Sequence, residues 1–129
     1  AAMVKLQGHL TGNVCTFGQY GALAALEAGR PSLAELQAEF QARRDLALAM
    51  LGDRVDCRVP QGAFYLFPAV GRQAAPFGSS AGLARHWLET AGVAVVPGEA
   101  FGGPGHVRIS FGGPEDALRE GLERIRRLL

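Results

Sequence analysis

The chain has 129 residues, a formal net charge of +1, and 48% apolar and 19% charged residues. That is one domain's worth of ordinary globular composition, able to bury roughly two-thirds of its unfolded surface and too short for a second full domain. A charge so near zero gives no field to attract nucleic acid or an anionic membrane, no apolar run reaches bilayer-spanning length, and no leader pattern opens the chain, so a cytoplasmic protein is expected.

In chain order, the stretch from Val14 to Leu26 is apolar or small on almost every side, with Gly18, Gly21, Ala22, Ala24 and Ala25 permitting close backbone approach. A helix apolar all round belongs in the middle of something, and the rest of so short a chain cannot cover it. Ser32 and Glu35 then spell a capping box that opens a helix running to about Leu51, with Gly52 as its stop. Leu33, Leu36, Phe40, Ala47 and Met50 form its expected buried stripe.

Val55, Cys57 and Val59 alternate with Asp56 and Arg58, which predicts a strand paired through a Pro60-Gln61-Gly62 turn with Ala63 to Phe67. Val70 to Ser79 reads as a loop. A helix from about Ser80 buries Leu83, Ala84, Trp87, Leu88 and Ala91 and stops at Gly92, and Val93 to Val96 is a short apolar strand. His106 to Phe111 is a second strand with Val107, Ile109 and Phe111 on the core face, leaving Arg108 to look outward or into a cleft. Pro114, Glu115 and Asp116 open a last helix striped by Leu118, Leu122, Ile125 and Leu129. The fold class is α+β, a small, mainly antiparallel sheet with helices packed on it.

Cys15 and Cys57 lack metal or redox spacing and read as free thiols. His9, His86 and His106 are far apart in sequence and pair with no acid or nucleophile, so no catalytic or metal-binding residue is assigned. The Pro97 to Gly105 stretch holds four glycines, but it precedes a strand and lacks the lysine of a phosphate-binding loop.

The order of several short motifs is more specific than any one of them. Pro97-Gly98-Glu99-Ala100-Phe101-Gly102 followed by Arg108-Ile109-Ser110-Phe111 resembles the closing part of the class I and II pyridoxal-phosphate (PLP) aminotransferases, where a PG-x-x-FG loop precedes an R-[IL]-S-F strand. Met3 to Gln7, Gln19 to Leu26, Arg43-Arg44-Asp45 and Pro60 to Tyr65 extend the likeness over nearly the whole chain. The resemblance implies the C-terminal small domain of the fold type I transferases. Residues 32–129 would form that domain, and residues 1–31 would pack on a large PLP-binding domain or a partner subunit.

It further implies that Arg108 grips the α-carboxylate of an amino acid or 2-oxo acid substrate and that Phe101 lines the substrate pocket. PLP would serve the full-length homodimer, with none bound covalently here. Lys5, the only lysine, falls on a surface helix in the family, and the Schiff-base lysine is expected upstream of Ala1. Thr11-Gly12-Asn13 resembles a loop that reaches the neighbouring subunit's active site, with Gly12 in place of the usual serine, while Phe64 and Tyr65 are expected in the core. Two other readings stay open at this point: a ligand-sensing module of a transcription regulator, and an inactive truncated fragment.

Overall fold

In a computed structural model the chain forms two compact units, Ala1–Leu36 and Gln37–Leu129. The structure describes residues 1–129 except for the side chains of residues 30–32, so the expected Ser32–Glu35 capping box lies outside the described residues.

The first unit carries α1 (Ala2–Leu10), α2 (Thr16–Ala28) and the start of α3 (Arg30–Leu51). Thr11 closes α1 twice, through its backbone N–H (3.0 Å) and its hydroxyl (2.9 Å), both donated to the Gln7 carbonyl. Gly29, at φ 68°, ends α2 in a conformation that favours glycine. None of the described residues of this unit is buried. Leu33 and Leu36, expected in the buried stripe of α3, are exposed.

In the second unit the core closes around the C-terminal half of α3. Ala47 and Leu51 are buried there with Phe40 and Met50 beside them. Gly52 stops the helix at φ 53°, passing into a short 3-10 turn.

Three strands follow, β1 (Tyr65–Leu66), β2 (Val96–Pro97) and β3 (Val107–Ser110), in the order β1-β3-β2 and antiparallel throughout. The expected hairpin between residues 55–59 and 63–67 does not form. Ala63 sits at φ 59° and breaks the extended run, Pro60 has no N–H to give a ladder, and β1 pairs with β3 instead. What remains of that strand is a single bridge from Asp56 to Ala69. β2 is likewise shorter than expected, since Val93 to Val95 stay outside the ladder.

The expected loop from Val70 to Ser79 contains α4 (Gly71–Ala74) and a 3-10 turn (Ala75–Phe77). Next, α5 (Ser80–Ala91) has both ends defined by its sequence. The Ser79 hydroxyl accepts from the Gly82 N–H at 3.1 Å, and left-handed Gly92 donates to Leu88 while Val93 donates to Trp87. Leu83, Ala84 and Trp87 are buried as expected. Leu88 is exposed and Ala91 only half-buried, because the buried arc of the helix is narrower than its apolar composition. Gly82 is pressed so close to the preceding turn that an added Cβ would lie 2.2 Å from the Phe77 carbonyl oxygen.

Finally, α6 (Glu115–Arg126) buries Leu118, Leu122 and Ile125 with acids in its first turn and arginines in its last, complementing its dipole. Arg124 reaches from α6 to the end of α5, donating to the Ala91 carbonyl at 3.1 Å. Two buried polar atoms, Ser80 Oγ and Trp87 Nε1, have no hydrogen-bond partner among the described residues.

Candidate carboxylate-binding site

Alternation along β3 decides which side chains are free for chemistry. Val107 and Ile109 enter the core, and Arg108 and Ser110 take the other face of the central strand. Tyr65 of β1 stands opposite Ser110, one diagonal step from Arg108, and Val96 of β2 stands directly opposite Arg108. The chain leaving β2 turns at once into a 3-10 turn, Gly98–Phe101, which brings the Phe101 ring back towards the same arginine.

The result is a guanidinium flanked by two aromatic rings. Arg108 Cζ lies 4.3 Å from the Tyr65 ring centroid and 4.2 Å from that of Phe101. Phe101 is itself edge-on to Phe67, which stacks on His106. A cation held over ring faces is oriented without using its N–H donors. Three described arginines are half-buried. Arg43 is paired with Glu39 and Arg44 with Asp45, whereas Arg108 has neither a carboxylate nor a hydrogen-bond acceptor among the described residues. Such a group, fixed in direction and unpaired, can take a carboxylate in the plane of its fork.

The turn carrying Phe101 requires glycine at two places. A Cβ on Gly98 would lie 2.1 Å from the Gly103 carbonyl oxygen and 2.6 Å from that of His106, and one on Gly103 would lie 2.6 Å from the Phe67 ring. Gly98 donates to His106 at 2.8 Å and Gly103 to Gly98 at 2.9 Å, so the loop is a small hydrogen-bonded knot rather than a phosphate cradle.

The structure thus brings Arg108 and Phe101 together. It adds Tyr65, which the sequence placed in the core with Phe64; Tyr65 is half-buried and Phe64 exposed, because β1 runs along the rim of the sheet with only Leu66 turned inward. The β1–β3 register that makes Tyr65 a neighbour of Arg108 leaves no local signal in the sequence.

The histidines stay apart. His86 Nδ1 lies 3.2 Å from Thr90 Oγ1, His106 Nδ1 lies 3.2 Å from the Pro104 carbonyl, and His9 is exposed on α1. No group of three or more His, Cys, Asp or Glu among the described residues could hold a metal ion. No described helix is long and apolar enough to cross a membrane.

The family described as "Aminotransferase class I and II" matches residues 1–125. The chain belongs to this family. A probable aspartate/prephenate aminotransferase of Aquifex aeolicus is 40% identical over 98% of the chain, which covers 33% of that relative. Among solved structures of aminotransferases, the aspartate aminotransferase of Rhizobium meliloti is 37% identical with a TM-score of 0.82 over 98% of this chain and 34% of its own. The aromatic aminotransferase of Pyrococcus horikoshii is 39% identical with a TM-score of 0.78 over 88% of this chain and 31% of its own. These likenesses agree with the expected α+β fold of the aminotransferase family.

The chain spans about a third of the length of the curated relatives it matches. Aminotransferases as a family imply PLP in the full-length proteins. The second unit contains no lysine, and Lys5, the one lysine of the chain, stands exposed on α1 of the first.

Proposed function

We propose that this chain is the C-terminal portion of a PLP-dependent aminotransferase that moves an amino group between an amino acid and a 2-oxo acid, and that Arg108 binds the substrate's α-carboxylate with Phe101 lining the pocket. The observation that carries this reading is the guanidinium held at 4.2–4.3 Å from two ring centroids with no acidic partner among the described residues. The family membership supplies the reaction class. The chain's own contribution is to orient and to bind: a bidentate grip fixes the plane of the carboxylate, and with it the direction of the bonds at the neighbouring carbon. The Schiff-base lysine belongs outside this chain.

The same reading assigns residues 32–129 to the small domain and gives residues 1–31 a docking role against the large domain or the partner subunit of a homodimer. Met3, Leu6, Phe17, Tyr20 and Leu26 are exposed there, a density of apolar surface that marks an interface.

Replacing Arg108 in the intact protein tests the assignment. Arg108→Ala should lower kcat/KM for amino acids by about 2–4 kcal/mol, with a smaller loss for Arg108→Lys, which keeps the charge without the fork. The fold should be spared, since the core-facing residues of β3 are untouched. An alanine variant as fast as the parent would end the assignment.

A further inference from the structure

Phe101 can orient Arg108 only if the turn that carries it is itself held in place, and one residue of that turn reaches outside it. The Glu99 carboxylate accepts from the Ser80 backbone N–H at 3.0 Å. Ser80 is the first residue of α5, so this amide is one of the donors that the helix cannot satisfy internally, and a carboxylate there is favoured by the helix dipole as well. Gly82, two residues on, is satisfied separately by the Ser79 hydroxyl at 3.1 Å.

That end of α5 is a rigid anchor. Ser80 is fully buried, Leu83 and Trp87 enter the core one and two turns later, and Gly82 abuts the Phe77 carbonyl too closely to admit any side chain. At its other side the turn is held by the residue that leads into β3, through Gly98 donating to His106 at 2.8 Å. Glu99 therefore sits between a fixed helix end and Phe101, two residues away, whose ring lies 4.2 Å from Arg108 Cζ.

We infer that Glu99 is a positioning residue for the carboxylate-binding arginine: by tying the Gly98–Phe101 turn to the N-terminus of α5 it holds the Phe101 ring against Arg108. This rests on the reading of Arg108 given above, and Glu99 itself is not placed in contact with substrate. Loss of the tie leaves Arg108 present but less firmly aimed, so it should weaken binding of amino acids more than it slows their turnover.

The test uses Glu99→Ala and Glu99→Gln in the intact protein, with Arg108→Ala beside them. Hydrogen exchange is followed by mass spectrometry over residues 98–106, and steady-state kinetics are measured with an amino-acid substrate. For Glu99→Ala, exchange in that segment should quicken about tenfold and KM should rise about fivefold to tenfold, as for loss of one charge-assisted hydrogen bond, with kcat within about twofold of the parent. Glu99→Gln keeps an acceptor oxygen and should recover most of both effects.

Faster exchange with an unchanged KM would make Glu99 merely structural and overturn the inference. So would unchanged exchange and KM in Glu99→Ala while Arg108→Ala loses activity, an outcome that leaves the arginine assignment standing. If Arg108→Ala is fully active, the reading of the site fails and this inference with it, whatever the exchange data show.

Discussion

The two units of this chain are both rich in apolar residues, yet only one has a core. In Gln37–Leu129, Trp87 is 1% exposed and Leu66, Val70 and Val107 are sealed, because a three-stranded sheet gives α5 and α6 a surface to close upon. In Ala1–Leu36, by contrast, Phe17 is 82% exposed and no described residue is buried. Apolar composition is thus a demand for burial, and whether the demand is met depends on what the chain can bring against it.

The largest effect that would sharpen this contrast is Trp87→Ala, which removes the bulkiest side chain of the core and should cost about 3–5 kcal/mol in urea unfolding of the 129-residue chain. A loss below ~1 kcal/mol would mean that the second unit is not the stable part. Phe17→Ala in the same chain should change stability by no more than about 0.5 kcal/mol, since nothing is lost that was buried. In sedimentation, however, the exposed face should make the parent chain self-associate with rising concentration, and Phe17→Ala should reduce this. A parent chain that stays monomeric at micromolar concentration would contradict an interface on the first unit.

The smallest effect separates the two thiols. Cys15 is exposed in the first unit, and Cys57 is half-buried in the second. Burial pushes the Cys57 thiol above its ordinary range, with a backbone hydrogen bond from Phe67 acting against this and the charge of Asp56 adding to it. Less of Cys57 is thiolate than in its ordinary range and its sulfur is half-buried, so iodoacetamide at pH 8 should label exposed Cys15 faster. Equal rates would show that the two environments are alike.

Much of this was legible in the sequence where one short stretch contained its own reasons. Ser79 and Gly92 bound α5, the alternation of Val107, Ile109 and Phe111 turned Arg108 away from the core, and the acids and arginines of α6 fit its dipole. The failures share a cause. The strand expected at residues 55–59 had sound alternation but lost its partner to β3, and Leu33 and Leu36 had sound spacing but nothing to pack on. Tyr65 and Glu99 were not legible as parts of the Arg108 site for the same reason, since each acts through a partner distant in sequence.

Even α5, whose ends Ser79 and Gly92 define locally, takes one further tie at each end from residues distant in sequence. Its positive end is closed by Glu99 and its negative end by Arg124, both of which follow it in the chain. During synthesis the helix leaves the ribosome with its local caps alone, and these two further ties form in turn as the strand region and then α6 emerge. A nascent chain halted before Glu99 should therefore leave the Ser80 amide exchanging freely while Gly82, Gly92 and Val93 keep their local partners, and emergence of the Gly98–Phe101 turn becomes the event that closes the start of the helix and ties it to the site.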